Sequence, residues 1–334
     1  MNQTTPPETQ SEPADQAERR ARDKEALDAL AETSGAKAAE AAEDGAESGD
    51  DEKINWFAEL RGLALMLLAV LCFHSLIAKP FYIPSISMMP ALHVGDRLVV
   101  SKYPYGWSWA SASFHLLPRA EWRINGSTPE YGDVVIPVHP VDNVDYIKRV
   151  IALPGDTIEL VDGRVILNGT PIPREVVPPV RIPFEPELMC VNGPCLAAFQ
   201  SYRVRDEDGR QYFEPPTYRE TLPNGATYLI IDHIENQPHD DFGPLTISEG
   251  EVFVMGDNRD HSADSRAEIF ESGLGGPIPL ENIGGRAEFI TVSFDGSASW
   301  NPLSWFSAMR GERAWVTLRP ALAETPAQTG DAGE

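Results

Sequence analysis

Three short segments of this chain concentrate the side chains that could do covalent chemistry. The first, Phe81-Tyr82-Ile83-Pro84-Ser85-Ile86-Ser87-Met88-Met89-Pro90, reads as an extended strand entering a tight turn, where Ser87 could expose its hydroxyl. A turn serine is ordinarily only that. It becomes a nucleophile when a neighbouring base takes its proton. None of the seven histidines (His74, His93, His115, His139, His233, His239, His261) falls in a protease signature, and G-x-S-x-G is absent. Sites of the α/β-hydrolase and chymotrypsin kinds therefore lack support.

Lysine can replace histidine once its pKa falls. In Asp145-Tyr146-Ile147-Lys148-Arg149-Val150-Ile151-Ala152-Leu153, strand alternation puts Lys148 on the face of Tyr146 and Val150, with Arg149 opposite. Apolar neighbours strip the ammonium of water and disfavour its charge. Lowering a lysine from about 10.4 to near 7–8 costs roughly 3–5 kcal/mol, so such a base needs a folded, partly buried site. In isolation Lys148 reads first as a surface lysine on an edge strand. The third segment, Gly256-Asp257-Asn258-Arg259-Asp260-His261-Ser262-Ala263-Asp264-Ser265-Arg266, is dense in polar groups. As a calcium loop it fails, with Arg259 at the third ligand position and no glycine at the sixth. As a buried network, Asp257, Asp264, Arg259 and Arg266 could pair while a hydroxyl orients a base.

These segments need rigid carriers, and the sequence supplies β-strands. Apolar, β-rich runs bounded by turn residues recur at 97–103, 132–138, 145–153, 156–169, 226–234, 251–256 and 286–294. Asp162-Gly163 marks a hairpin turn. The pattern predicts a mostly β, antiparallel barrel or sandwich over 81–320, with 170–250 as an inserted β subdomain. Residues 104–130 also read as an insertion. Trp107, Trp109, Phe114 and Trp122 there, and Trp300, Trp305 and Phe306 later, suggest contact with lipid headgroups.

Gly62 to Ala78 is a run of 17 residues without formal charge between Arg61 and Lys79, read as one transmembrane helix over 60–80. Sixty-one residues precede the run and no A-x-A site follows, unlike a cleaved secretory signal. Lys53 and Arg61 against Lys79 place the N-terminus in the cytoplasm and the bulk of the chain on the far side. Residues 1–53 hold 15 acidic and six basic residues and no aromatic, a composition that predicts disorder, as does 321–334. The formal charge of −24 argues against a nucleic-acid partner. Cys72 falls inside the span. Cys190 and Cys195 bracket Val-Asn-Gly-Pro and could close a disulfide at a hairpin tip; zinc lacks a second ligand pair nearby.

Taken together, the boxes resemble those of the bacterial type I (leader) signal peptidase family. F-x-I-P-S-x-S-M-x-P-x-L-x-x-G-D appears as Phe81 through Asp96, followed by Val99, Val100 and Lys102. Y-G-D-V-V appears at Tyr131–Val135, Y-I-K-R-V-I-x-L-P-G-D at Tyr146–Asp156, and G-D-N-R-D-x-S-x-D-S-R at Gly256–Arg266. The resemblance covers about 56–320. It implies a Ser-Lys dyad with Ser87 as nucleophile and Lys148 as unprotonated base, and an oxyanion hole from the Ser85 hydroxyl and the Ser87 amide. Ser262 would hydrogen-bond and aim Lys148, with Asp264 and Arg266 bracing the loop. Phe81, Ile83, Met88 and Ile147 would line apolar pockets for small side chains of an A-x-A peptide added as a strand. No metal or cofactor is implied. The implied partners are the signal peptides of exported preproteins and the lipid bilayer. The implied site of action is the outer face of the bacterial inner membrane.

Three departures stand out: Ala91 where the family commonly has Thr, Ala152 where it has Gly, and a longer loop, 267–276, before Pro277-Ile278-Pro279. Two rivals remain. A self-cleaving Ser-Lys repressor predicts an N-terminal helix-turn-helix and no span. A non-enzymatic periplasmic β-domain that binds peptides has no need of Ser87, Lys148 and Ser262 together.

Overall fold

A computed structural model describes residues 56–115, 117–190 and 193–323. The expected acidic tail at 1–53 lies outside the described residues, as does 324–334. The chain divides into two units, Met1–Leu63 and Ala64–Glu334. Of the first, only the opening turns of helix α1 (Trp56–Leu76) are described.

Helix α1 has 21 residues, none buried, and is long and apolar enough to cross a membrane. It starts earlier than the uncharged run suggests and stops four residues short of the expected end at 80. Pro80 explains the stop, because it lacks an N–H and disfavours helical geometry at Lys79. The chain instead enters the Ala78–Tyr82 strand. The released carbonyl of Leu76 accepts the Trp107 indole N–H at 2.8 Å.

That strand is the edge of a seven-stranded antiparallel sheet. In spatial order it runs Ala78–Tyr82, Asp96–Ser101, Ile283–Ser293, Val134–Pro137, Lys148–Ala152, Glu251–Met255 and Ile278–Pro279. The 11-residue Ile283–Ser293 strand pairs on both sides and carries register shifts in each ladder, which bend the sheet. Every residue of Val134–Pro137 and of Lys148–Ala152 is buried. Both faces of the sheet centre are thus covered, which is why these strands read as continuous apolar runs rather than strict alternations.

Two four-stranded sheets cover it. One holds Phe242–Thr246, Thr157–Val161, Arg164–Leu167 and Thr170–Pro171. Its hairpin turns at Asp162 and Gly163, with φ of 49° and 71°, the left-handed pair that a two-residue turn requires. The other holds Ala321–Leu322, Ala226–Ile231, Thr217–Thr221 and Arg174–Val177. Residues 170–250 therefore do not pair only among themselves: they share strands with 157–167 and with 321–322. The latter pair, expected in a structureless tail, is a short strand because Thr227 and Ala226 offer it an open edge. Within 170–250, the Met189–Cys190 and Gly193–Pro194 strands form a hairpin closed by a Cys190–Cys195 disulfide.

Trp109 departs from the expected lipid contact. It is 1 % exposed, its indole N–H bonded to Asn282 Oδ1 at 3.1 Å, so it packs inside. Phe114, Trp300 and Phe306 are well exposed.

Candidate active site

Ser87 follows the Ala78–Tyr82 strand in a turn pinned by its neighbours. Ile83 N–H donates to Asp96 O and Gly95 N–H to Ile83 O, which folds 83–96 back onto the next strand. Met88 and Met89 bury completely, each in a different apolar cluster. Ser87 is thereby held at 8 % exposure. Lys148 begins a central strand, is 3 % exposed, and its Nζ lies 3.2 Å from Ser87 Oγ. The same ammonium donates to Ile147 O at 3.0 Å and stands 5.4 Å from the centre of the Tyr146 ring. The expected sharing of a face by Lys148 and Tyr146 is thus present.

Burial, partly opposed by the carboxylates of Asp264 and Asp257, pushes Lys148 down from 10.5 to about 8. At pH 7 about a tenth of the molecules then hold a free amine within reach of the Ser87 proton. Ser85 Oγ is 3.3 Å from Ser87 Oγ. The Ser87 amide donates to no described residue, so one N–H and one hydroxyl flank the Ser87 oxygen.

The polar loop closes the site from the far side. Asp264 accepts from Gly256 N–H at 2.9 Å and from Arg266 Nε at 2.9 Å, and Arg266 donates onward to Arg259 O at 2.8 Å. Arg266 and the Gly256 amide hold the Asp264 carboxyl below its ordinary range despite burial. The hydrogen bond expected from Ser262 to Lys148 is not made: Ser262 Oγ is buried and has no partner among the described residues. It is nevertheless in the site, because a Cβ on Gly256 would collide with Ser262 Oγ and stand 2.5 Å from Ser87 O. Glycine at 256 lets the loop lie against the serine turn.

The four expected pocket residues meet in one apolar cluster with Leu92, Leu98 and Val134. Ile83 and Met88 are fully buried, leaving Ile147 and half-buried Phe81 nearest the surface. Residue reading did not anticipate Asn258. Its backbone N–H donates to Ser87 O at 3.0 Å and its side-chain amide to Ile86 O at 3.1 Å, which clamps the serine turn to the loop. Glu220 was also unanticipated. It receives Arg259 Nη1 at 2.8 Å and the Tyr228 hydroxyl at 3.0 Å. Asn258 sits inside a quoted box and its role follows once the two segments meet, whereas Glu220 lies in a stretch with no motif. Arg149 makes a two-pronged pair with Asp257 at 2.7 and 2.6 Å. Among the described residues, no group of three or more His, Cys, Asp or Glu is placed to hold a metal.

Comparison with known proteins shows the family of the chain. The family model for "Signal peptidase, peptidase S26" matches residues 55–292. Signal peptidase I of Rickettsia typhi is 34 % identical over 243 residues, covering 70 % of this chain and 80 % of that protein. Signal peptidase I of Rickettsia bellii is 33 % identical over 247 residues, covering 70 % and 73 %. A solved signal peptidase I from Enterococcus faecalis aligns at 21 % identity and a TM-score of 0.24, over 48 % of this chain and 97 % of that one. The match to the family model spans all four motif boxes and most of the chain, and this protein belongs to the signal peptidase family, peptidase S26.

Proposed function

We propose that this chain is a membrane-bound serine endopeptidase that removes signal peptides from exported preproteins, with Ser87 as nucleophile and Lys148 as general base. The observation that carries it is the 3.2 Å approach of Lys148 Nζ to Ser87 Oγ inside a buried site. A neutral Lys148 takes the Ser87 proton as Oγ attacks the scissile carbonyl. The developing oxyanion is met by the Ser87 N–H and the Ser85 hydroxyl. Lys148, now an ammonium, returns the proton to the leaving amine. It then deprotonates the water that releases the acyl group.

The shallow apolar surface at Phe81 and Ile147 suits small side chains, which supports cleavage after an A-x-A sequence laid along the sheet edge. Asp264 and Arg266 brace the loop, and Ser262, which lies against Gly256 beside the serine turn, is assigned the orienting of Lys148 during the reaction. The Cys190–Cys195 disulfide supports an extracytoplasmic catalytic domain, since such bonds persist in oxidising compartments. Protection of the N-terminal tail from protease in spheroplasts tests that orientation.

The deciding experiment is processing of a preprotein in detergent by wild type, Ser87→Ala and Lys148→Met. Each variant is expected to lose about a thousand-fold or more in rate, the scale of removing a nucleophile or its base. Wild-type rates in either variant would exclude the dyad.

A further inference from the structure

Lys102, at the end of the Asp96–Ser101 strand, is 2 % exposed, and its ammonium has no hydrogen-bond or ion-pair partner among the described residues. Its backbone N–H bonds Ile77 O at 2.9 Å, which sets it beside the residues just after helix α1. Its Nζ lies 5.8 Å from the centre of the Phe81 ring, and Lys79 Nζ lies 4.6 Å from the same ring. Asp145 is the carboxylate here, and it is already shared. Lys79 Nζ reaches its Oδ2 at 3.3 Å and His115 Nε2 its Oδ1 at 3.1 Å. Arg119, close enough to act on His115, spends its hydrogen bonds on His139 O and Asn143 Oδ1.

Two lysine ammoniums thus face one carboxylate, and burial holds His115 below its ordinary value so that it adds no third charge. Burial, partly offset by Asp145, pushes Lys102 down to about 8, so it stays mostly protonated at neutral pH. A largely buried ammonium that shares its one nearby carboxylate with Lys79 is costly, and an anion from outside would relieve it. The adjoining turn offers a second open group. Ser113 is 2 % exposed, and its hydroxyl has no partner among the described residues.

Beside the Ser113 turn, and walled by none of Lys79, Lys102 or His115, runs an apolar groove of about 380 Å³. Its walls include Ser75 and Leu76 of the last turn of helix α1, with Trp107, Leu117, Trp122 and Ile124. Ser113 N–H donates to Ser75 Oγ at 3.0 Å, so the turn bearing His115 is tied to the same helix end. A groove walled by the end of a membrane-spanning helix opens where hydrocarbon meets headgroups.

We propose that groove and cluster together bind one anionic phospholipid, its phosphate held by Lys102, Lys79 and the Ser113 hydroxyl, and an acyl chain lying against Trp107 and Leu117. The site rests on the membrane-anchor reading of helix α1. An apolar peptide segment would fill the groove but leave Lys102 without an anion.

The test is native mass spectrometry of the full-length chain in a non-ionic detergent. It is titrated with phosphatidylglycerol, with phosphatidylcholine of the same chains, and with glycerol 3-phosphate. One phosphatidylglycerol should be held about five-fold more tightly than phosphatidylcholine, and glycerol 3-phosphate should not be retained. Lys79→Gln and Lys102→Met should each weaken phosphatidylglycerol about five-fold and leave phosphatidylcholine unchanged. If Lys102→Met does not fold, Lys79→Gln decides. Equal retention of the two lipids, or affinity unmoved by the lysine changes, would overturn the site. Retention of glycerol 3-phosphate as tight as the lipid would make it a free-phosphate site and overturn the lipid assignment. The anchor is tested apart, by alkaline extraction from phosphatidylcholine vesicles. Release there overturns the anchor, whereas retention with equal lipid affinities overturns the lipid site alone.

Discussion

Lys148 carries opposing demands at the scale of one residue. Its burial makes it a usable base and also destabilises the fold while it is protonated. The amine titrates near pH 8 in the folded protein and at 10.5 when unfolded. Between those values the unfolded chain binds more protons, so stability rises with pH across that window; below about pH 8 the penalty is present in full. Processing should therefore rise through pH 8 to a plateau, and an acid optimum would contradict Lys148 as base. The same shift predicts that Lys148→Met, though inactive, is more stable than wild type at pH 7. The gain, on the order of 3 kcal/mol, is measurable by urea unfolding. Ser262 gives a complementary prediction. Its hydroxyl has no partner to lose, so Ser262→Ala should leave stability within about 0.5 kcal/mol of wild type. If it aims the neutral amine during the reaction, the rate should fall about ten-fold and the midpoint of the pH profile should move upward. An unchanged rate and profile would remove Ser262 from the mechanism.

At the scale of elements, the site is two turns pressed together at the end of one sheet. The Asn258 amide groups hold the carbonyls of Ile86 and Ser87, and Gly256 provides the clearance. A methyl group at 256 would meet the Ser262 side chain and the Ser87 backbone together, neither of which can retreat. Gly256→Ala is expected to cost about 1–3 kcal/mol, the range for overpacking, and to abolish processing. Normal processing with normal stability would show that the turns are not in contact. Much of this architecture is legible in residue patterns. Alternation and turn residues mark the central strands, Asp162-Gly163 marks a hairpin, and the motif boxes mark both turns. Glu220 is not legible, because a partner for Arg259 some forty positions away leaves no local period or spacing. The end of helix α1 is misjudged for a related reason: hydropathy continues past Leu76, but Pro80 and strand pairing prevail. Trp109 shows the same limit, since side-chain type alone does not separate an interfacial tryptophan from one packed on Asn282.

At the scale of the whole molecule, the question is what a membrane helix adds to a site made entirely by later residues. Its contribution is confinement. A protease and a preprotein held in the same bilayer meet at an effective concentration far above their bulk values, without any added contact at the site. Detergent micelles make that contribution adjustable, since enzyme and anchored substrate react only when they share one. At fixed protein, a ten-fold rise in micelle concentration should slow processing of a full-length preprotein by about ten-fold. A short soluble peptide containing the cleavage site reaches Ser87 from water, so its rate should not change over the same range. Its kcat/KM should also lie well below that of the preprotein, because it forgoes confinement. The pair of substrates separates anchor from catalyst. If both slow equally, detergent is acting on the β domain; if neither slows, helix α1 contributes tethering to the membrane but nothing to the encounter.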